Sequence, residues 1–408
     1  MTEAPHFLFG AATASHQVEG GTHNDWTAWE FCKAKEFVRR ASAKKWPDYI
    51  LNGFPNPLQE ENYISGRACD HYHRFREDFD IAKSLGHAAH RFSVEWSRIE
   101  PEEGKFDEQE LAHYREVVVA LRERGMEPFI TLWHYTLPVW LAQKGGVINK
   151  KFPEYFARYA ARVSRALPDV LFWITINEPE VVALHGYYHG TRPPEKHGIF
   201  SLWRSMANMI SAHRAAYRSI KEASPRARIG AAMHLSWFES AGGPVNDFLK
   251  YLMDRFANFY FFERTIAQSD FIGVNHYFHN RIDHGLNKNE NKETTDLGWE
   301  ICPESMYQVL KQLKKYGLPI YVTENGLADA RDVGRSSFIA RYLEQIRRAM
   351  NEGVDVRGYF YWSLLDNFEW DSGFWPRFGL VEVDYRTLER KVRPSALVYK
   401  EIIETWEK

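Results

Sequence analysis

The chain has 408 residues, of which 44% are hydrophobic and 15% aromatic, so it holds ample material for a buried core. Its 52 basic and 54 acidic residues leave a formal net charge of -2, which gives no electrostatic reason to expect binding of nucleic acid or of an anionic membrane. The three cysteines, Cys32, Cys69 and Cys302, are widely spaced and form no CxxC pair, so the sequence predicts neither a disulfide framework nor a zinc site.

Short apolar runs with strand character recur along the chain, and most of them precede a segment of helical periodicity. The predicted strands lie near residues 7–14, 88–94, 127–133, 170–176, 228–234, 270–275, 319–323 and 356–363. The predicted helices lie near residues 70–85, 108–124, 153–167, 202–223, 304–316 and 336–351. Stretches rich in Pro, Gly, Asn and charge predict rim loops near residues 32–66, 189–200 and 281–300.

Eight strands that alternate with helices predict a closed barrel. Length alone would favour two or three domains, but the elements are evenly spread and no Gly/Ser/Pro-rich linker separates them. We therefore expect one catalytic domain over residues 1–408, an α/β fold of the (β/α)8 TIM-barrel type. In such a barrel the active site lies at the C-terminal ends of the strands.

Two glutamates stand where predicted strands end. Glu178 follows the apolar run at 171–176, and Glu324 follows the run at 319–323. Because a barrel brings these strand ends to one face, we expect the two carboxylates to lie close together. Hydrolysis of a glycosidic bond requires such a pair, one acting as acid and the other as nucleophile.

Other polar and aromatic residues occupy or follow the predicted strand ends: Arg91, His134, Asn177, Asn275, Tyr277 and Trp362. A single Arg or His at a strand end often does no more than satisfy a backbone group. A whole set that converges on one face of a barrel is better explained by a functional site.

These segments make the chain resemble glycoside hydrolase family 1, the retaining β-glycosidases, over nearly its entire length. The opening segment FGAATASHQVEG at 9–20 is similar to the N-terminal signature of that family. The family order is then followed by DHYHRF at 70–75, RFSVEWSR at 91–98, TINEP at 175–179, TENG at 323–326 and WSLLDNFEW at 362–370.

The resemblance implies that Glu178 is the acid/base and Glu324 the nucleophile. Arg91 and Tyr277 would flank Glu324 and favour its ionised form. Repulsion from an ionised Glu324 would then hold a proton on Glu178 in the resting enzyme. Asn177 would bond the 2-hydroxyl of the sugar, a contact expected to strengthen in the transition state.

The resemblance also implies a substrate-binding set: Gln17, His134, Asn275, Trp299, Trp362, Glu369, Trp370 and Phe378. Trp362 would stack on the sugar ring while the polar members bond its hydroxyls. Trp299 resembles an aglycone-side tryptophan, although a role in the core remains open for it. An anionic Glu369 would repel a phosphate, which favours an unphosphorylated sugar.

The sequence departs from the family pattern in three places. Tyr135 and Thr136 follow His134 where the family usually has Trp-Asp, and His276 replaces a common Tyr between Asn275 and Tyr277. The connection over 235–269 has room for little more than one helix, because the longer family insertion is missing. We therefore expect an open aglycone side that tolerates bulky leaving groups.

The sequence thus predicts a retaining exo-β-glycosidase that acts on β-glucosides, with β-galactosides and β-fucosides as further substrates. No cofactor and no metal are expected, because protonation and a carboxylate nucleophile supply the chemistry. The expected partners are small-molecule β-glycosides or short oligosaccharides, and the oligomeric state stays open. The alternatives are a non-catalytic sugar-binding protein of the same fold, a transglycosidase, and a metal-dependent barrel hydrolase.

The N-terminus lacks the features of a leader. Residues 1–7 include the acidic Glu3 and form no apolar run, and no stretch of about 18 apolar residues occurs in the sequence. Together with the three unpaired cysteines, this pattern predicts a cytoplasmic protein that is not secreted through a signal peptide.

Overall fold

The computed structural model describes residues 7–406, in which eight parallel strands close into a barrel. Its strands are β1 (Leu8–Ala12), β2 (Ala89–Ser93), β3 (Glu127–Trp133), β4 (Phe172–Asn177), β5 (Arg228–His234), β6 (Ile272–Asn275), β7 (Ile320–Asn325) and β8 (Val356–Trp362). Each strand bonds to its neighbours in chain order, and β1 bonds to both β2 and β8. The predicted barrel and its eight strands are confirmed. The expectation about a leader falls largely on residues 1–6, which lie outside the described residues.

Nine helices of ten or more residues lie within 7–406. They are α1 (Asp25–Ser42), α2 (His71–Ser84), α3 (Glu108–Glu123), α4 (Phe152–Ala166), α5 (Ile199–Ala223), α6 (Pro244–Met253), α7 (Glu304–Leu313), α8 (Arg335–Asn351) and α9 (Pro394–Thr405). Single helical turns lie at Ser15–Val18, Asp48–Leu51, Trp96–Ile99, Val139–Gln143, Pro179–Val182 and Phe262–Thr265. The six predicted helices correspond to α2, α3, α4, α5, α7 and α8.

The loop predicted over 32–66 was wrong in its first part, because α1 continues to Ser42. The helix begins at a capping box in which the Asn24 side chain accepts from the Thr27 backbone, while the Thr27 hydroxyl accepts from the Asn24 backbone. The mixture of charges that suggested a loop lies on the exposed side of this helix.

The connection between β5 and β6 is richer than the sequence indicated. A short strand, Trp237–Ser240, pairs in parallel with a second one, His279–Ile282, which follows β6. Helix α6 then continues into a π-helical turn at Asp254–Asn258. The prediction of little more than one helix missed the extra strand, and the π turn brings the end of this segment to the barrel mouth.

An aromatic layer fills the barrel beneath its C-terminal face. Phe129 and Phe172 stack with ring centroids 4.1 Å apart, and Phe360 lies 4.7 Å from Phe129. Tyr321 and Phe271 complete the layer at 5.2 and 6.4 Å from Phe129. These rings give the polar strand ends a closed, apolar floor.

Helix α9 packs against the barrel wall where β1 meets β8. Tyr399 of α9 donates a hydrogen bond to the carbonyl of Gly10 in β1 at 3.0 Å and approaches that of Tyr359 in β8 at 3.4 Å.

Each helix from 7 to 406 is too short or too polar to cross a membrane.

Candidate active site

A cavity of about 570 Å³ lies at the C-terminal ends of the strands, a volume suited to a small ligand. Ten of the thirteen predicted site residues line it: His134, Asn177, Glu178, Tyr277, Trp299, Glu324, Trp362, Glu369, Trp370 and Phe378. The other three, Gln17, Arg91 and Asn275, lie behind the cavity surface and bond to side chains that line it. The barrel therefore brings the whole predicted set together.

Glu324, near the end of β7, is held by two donors. Arg91, a residue of β2, donates from Nη1 to Glu324 Oε1 at 2.5 Å. The Tyr277 hydroxyl donates to Glu324 Oε2 at 2.9 Å. Arg91 is almost fully buried, so its charge acts on Glu324 with little screening by water. This carboxylate is fixed in position and faces the cavity.

Glu178 follows β4 with a left-handed backbone, at φ 46°. Asn275 Nδ2 donates to its Oε1 at 2.9 Å, and the Tyr135 hydroxyl bonds its Oε2. His234 Nδ1 lies 3.6 Å from Oε1, beyond ordinary hydrogen-bond distance. Glu178 therefore has neutral direct partners, in contrast to the guanidinium beside Glu324.

The two carboxyls titrate as a pair, with one pKa near 2 and the other near 7. At Glu324, burial raises the pKa, the charge of Arg91 lowers it, and the Glu178 carboxylate raises it. At Glu178, burial raises the pKa, while His234, Tyr135 and Asn275 lower it. The pair therefore shares one proton across the weakly acidic range.

Asn177 connects the carboxylate pair to His134. Its Oδ1 accepts from Arg91 Nη2 at 2.6 Å and from Asn275 Nδ2 at 3.0 Å, and its Nδ2 lies 3.2 Å from His134 Nε2. Burial and the charge of Arg91 lower the pKa of His134 well below its usual value, so the imidazole is neutral. Among the described residues, none bonds His134 Nδ1, which leaves this buried atom available to a ligand.

Gln17 and Glu369 form the polar end of the cavity. Gln17 Nε2 donates to Asn367 Oδ1 and to the Phe368 carbonyl at 2.8 Å each, and approaches Glu369 Oε2 at 3.4 Å. Gln17 Oε1 has no bonding partner in the described part of the chain. Burial and the nearby Glu324 raise the pKa of Glu369 to about 8. Near neutral pH Glu369 is therefore largely protonated, which argues against the expectation of an anionic side chain.

Aromatic rings surround the cavity. His134 stacks against Trp362 and Trp370, with centroids 6.1 and 5.8 Å apart. Trp299 lies 4.8 Å from Phe278 and 6.1 Å from Phe378, so it belongs to the cavity wall.

Positive φ angles occur at Glu178, Tyr135 and Trp370, and such strain is characteristic of functional sites.

Several cavity residues lie outside the predicted set: Tyr135, Glu180, Arg192 and His234. His234 is the last residue of β5, so the strand-end rule that found His134 could have found it as well. The one sequence signal at Tyr135 is its departure from the usual family residue after His134. Arg192, the only Lys or Arg among the described residues that line the cavity, is bonded to Asp371 at 2.9 Å.

Across residues 7–406, no group of three or more His, Cys, Asp or Glu side chains is arranged to hold a metal ion. His276, which replaces a common family Tyr, points away from the cavity and bonds the Leu235 carbonyl and the Ser305 hydroxyl at 2.7 and 2.6 Å. This substitution therefore leaves the cavity wall to its neighbour Tyr277, with Asn275 behind the cavity surface.

Comparison with known proteins agrees with this geometry. The family model described as Glycosyl hydrolase family 1 matches residues 2–271 and 247–408. Beta-glucosidase A of Thermotoga maritima is 32% identical over 97% of this chain and 96% of its own length, and a beta-galactosidase of Sulfolobus acidocaldarius is 34% identical over 97% and 94%. The solved beta-glycosidase of Pyrococcus horikoshii superposes with a TM-score of 0.86 at 34% identity, covering 98% of this chain and 94% of its own.

Proposed function

The chain belongs to glycosyl hydrolase family 1, and we propose that it is a retaining exo-β-glycosidase whose main substrates are β-glucosides. Residues 1–408 would form its single catalytic domain. The observation that carries the proposal is the buried pair Glu178 and Glu324, of which only Glu324 touches a guanidinium. Family membership makes the protein a glycoside hydrolase, and the pair supplies the mechanism.

In the first step Glu324 attacks the anomeric carbon while the bond to the aglycone oxygen breaks. The guanidinium cation of Arg91 lies 2.5 Å from Glu324 and favours its ionised form. The shared proton then belongs on Glu178, whose neighbours Asn275 and Tyr135 are neutral. Glu178 transfers that proton to the departing oxygen, which gives a neutral alcohol and a covalent glycosyl-enzyme.

In the second step water attacks the anomeric carbon. Esterification has removed the negative charge of Glu324, so the repulsion that kept a proton on Glu178 is gone. Glu178 accepts a proton from the water as the bond to Glu324 breaks, and the sugar leaves with its original anomeric configuration. Asn177, held by Arg91 and Asn275, would bond the sugar 2-hydroxyl in both steps.

The glycone site suits an uncharged sugar. Gln17 Oε1 and His134 Nδ1 are buried atoms that can bond hydroxyl groups, and Trp362 offers a flat face. A phosphate is disfavoured because the Arg192 guanidinium is already bonded to Asp371 and no other Lys or Arg lines the cavity within 7–406. The lack of a free cation among the described cavity residues, and not repulsion by Glu369, is therefore what disfavours a phosphorylated sugar. β-Glucosides, β-galactosides and β-fucosides all lack that phosphate.

We place the enzyme in the cytoplasm because Cys32, Cys69 and Cys302 are free thiols, as a reducing compartment requires. No cofactor takes part in either step. The short connection over 235–269, which lacks the longer family insertion, would leave room for bulky aglycones.

The test is to follow hydrolysis of p-nitrophenyl β-D-glucoside by proton NMR and to record which glucose anomer forms before mutarotation. β-Glucose first is the expected result of double displacement. α-Glucose first would mean inversion, which needs carboxyls about 6.5–9.5 Å apart, not about 5–5.5 Å. Binding without turnover of any β-glycoside would instead indicate a sugar-binding protein.

A further inference from the structure

Glu180 is a buried carboxyl that neither catalytic step uses. It lies two residues after Glu178 in the turn Pro179–Val182, lines the cavity, and is only 5% exposed. No side-chain hydrogen bond to either of its carboxyl oxygens is found among the described residues. Burial, together with the charge of Glu178, raises its pKa well above the ordinary range, so this group is a neutral acid that can donate and accept.

A second cavity of about 220 Å³ adjoins the first. Four residues line both cavities: Glu180, Leu184, Met253 and Ala257. The rest of the second cavity is lined by apolar and aromatic side chains: Ala183, Leu202, Trp203, Met206, Phe256 and Tyr260. The rings of Trp203 and Tyr260 pack with centroids 4.9 Å apart and form one side of this second cavity.

Both segments that separate the cavities contain π-helical turns, Ala183–Tyr188 and Asp254–Asn258. A π turn inserts an extra residue into a helix and widens it locally, and such turns occur often at functional sites. The turns place Leu184 and Ala257 between the two cavities. A ligand that leaves the sugar site along this side first meets Glu180 and then the apolar pocket.

We propose that Glu180 and this apolar pocket form an aglycone subsite for β-glycosides whose aglycone is a hydrocarbon chain or ring with a hydroxyl group close to the sugar. The proposal rests on the glycosidase function proposed above and names the class of leaving group. Glu180 would bond the hydroxyl, and the aromatic pocket would cover the hydrocarbon.

A second sugar is a poorer occupant of this pocket. Each hydroxyl of a sugar needs a hydrogen-bond partner when it is buried, and the pocket offers little beyond the Glu180 carboxyl and the Tyr260 hydroxyl. A hydrocarbon needs none, and each buried methylene contributes about a fourfold gain in binding. We therefore expect hexyl β-glucoside to be preferred over cellobiose.

The first experiment compares kcat/KM of the complete enzyme for methyl and hexyl β-D-glucoside, whose leaving groups have similar acidity. The expected ratio of hexyl to methyl is at least about tenfold, since several methylenes enter the pocket. Trp203→Ala and Phe256→Ala should each lower this ratio at least about threefold. Both side chains are partly exposed, at 39% and 51%, so truncation leaves no sealed void that would threaten folding.

The matched control is Phe200→Ala. Phe200 lies one turn before Trp203 on α5, is 89% exposed, and does not line the pocket. Its substitution should leave the hexyl-to-methyl ratio unchanged. An equal fall of the ratio in Phe200→Ala and Trp203→Ala would overturn the pocket assignment.

Glu180 is tested with 2-hydroxyhexyl β-D-glucoside against hexyl β-D-glucoside. Glu180→Leu should lower the preference for the hydroxylated substrate about five- to tenfold, whereas Glu180→Gln, which keeps a neutral donor and acceptor, should retain it. If both variants keep the preference, Glu180 is not the partner of the hydroxyl.

Failure of the subsite and failure of the proposed function give different results. Hydrolysis of methyl β-glucoside with a hexyl-to-methyl ratio near one would overturn the subsite alone. Absence of hydrolysis of both would contradict the proposed function. Calorimetric binding of the two glucosides to Glu324→Gln would then decide on the subsite independently, with tighter binding of the hexyl compound expected and equal binding contradicting it.

Discussion

At the scale of single residues, Arg91 organises the site. Its guanidinium bonds Glu324 Oε1 at 2.5 Å, the Thr323 carbonyl at 3.0 Å and Asn177 Oδ1 at 2.6 Å, and its Nε donates to Thr131 at 3.1 Å. Four strands therefore depend on one side chain for the positions of their polar ends. Arg91 also favours the ionised form of Glu324, in keeping with the proposed role of Glu324 as the nucleophile.

The roles of the carboxylates can be distinguished by rescue. Glu324→Ala should abolish turnover, and added azide should restore reaction with an activated glucosyl donor to give the α-glycosyl azide, because azide then occupies the place of the nucleophile. Glu178→Ala should lower kcat for a poor leaving group about 10²–10⁴-fold. With an activated leaving group it should still form the glycosyl-enzyme, from which azide gives the β-azide. NMR of the products checks both results, and the reverse stereochemistry would exchange the two roles.

Tyr135 tunes the proton shared by the pair. Its hydroxyl bonds Glu178 and lowers the pKa of that carboxyl, so Tyr135→Phe should raise it. The alkaline limb of the pH profile, which reports loss of the proton shared by the two carboxyls, should move to higher pH. Glu178 becomes charged as it gives up its proton, so loss of the hydrogen bond from Tyr135 should also lower kcat roughly tenfold. The pH dependence of kcat/KM measures the shift.

The control for Tyr135 is Tyr159→Phe. Tyr159 is buried and donates its own hydroxyl to the Leu132 carbonyl at 3.0 Å, away from the cavity lining. This variant should lose stability without any change in the pH profile. A profile that moves equally in both variants would argue against a role of Tyr135 in tuning Glu178.

Sequence reasoning worked at this scale where a residue type and a strand end coincided. Glu178, Glu324 and His134 could be found because each follows an apolar run. The partners of these residues could not all be found this way, because Tyr135 reaches Glu178 through a left-handed backbone at φ 73° that no periodicity reveals. Protonation could not be read from residue type either, since the pKa of Glu369 depends on burial and on Glu324.

At the scale of elements, the loop after β8 is fastened to the start of α9 by an ion pair. Asp366 accepts two hydrogen bonds from Arg393, at 2.8 and 2.9 Å, and both side chains are buried. The same loop carries Asn367, Phe368 and Glu369, which meet Gln17. This pair therefore stabilises the loop that builds the polar end of the cavity.

Asp366→Asn should lower the free energy of unfolding by about 3–5 kcal/mol, because Arg393 would remain buried without its counter-charge. Burial raises the pKa of Asp366, but Arg393 and Arg377 outweigh it and hold the pKa below its ordinary value. The stabilisation is thus present above the unfolded pKa of about 3.9 and is lost as pH falls through the folded value. The difference in Tm between wild type and variant should be largest near pH 7 and should decrease below about pH 4.

Asp355→Asn is the matched control. Asp355 pairs with Arg357 in the same two-bond geometry, at 2.8 Å each, but both side chains are substantially exposed. Its removal should change stability by no more than about 1 kcal/mol. An equal loss in both variants would mean that burial does not decide the strength of the Asp366 pair.

Element boundaries were predictable where a buried strand or an amphipathic helix repeats a clear period, as in β3, β4 and α4. The extra strand at Trp237–Ser240 was not, because it is four residues long and pairs only with His279–Ile282. Such a contact between distant segments leaves no local pattern. The π turns that shape the second cavity also depend on packing and not on a readable repeat.

At the scale of the whole molecule, closure of the barrel requires close approach of β1 and β2. A methyl group on Gly10 would lie 2.1 Å from the Ala89 carbonyl oxygen, which is backbone and cannot move aside cheaply. Gly10→Ala should therefore separate the two strands and lower the free energy of unfolding by about 1–3 kcal/mol. Activity should also fall, because Gln17 follows β1 and Arg91 belongs to β2.

Thermal unfolding monitored by circular dichroism measures the effect of Gly10→Ala. Gly285→Ala is the control, since its methyl group would meet only the Lys288 side chain at 3.5 Å, an ordinary contact. If the Gly10 variant had the same Tm as the control, the barrel would tolerate a larger distance between β1 and β2.

Because β1 pairs with β8, synthesis of the chain must reach residue 362 before the barrel can close. Until then a nascent chain on the ribosome has two open sheet edges, and Gln17 still lacks its partners at 367–369. A truncated product that contains Arg91 and Glu178 therefore has no working site and offers unpaired strands to chaperones and proteases. A chain that stops before residue 362 therefore cannot form even a partial enzyme.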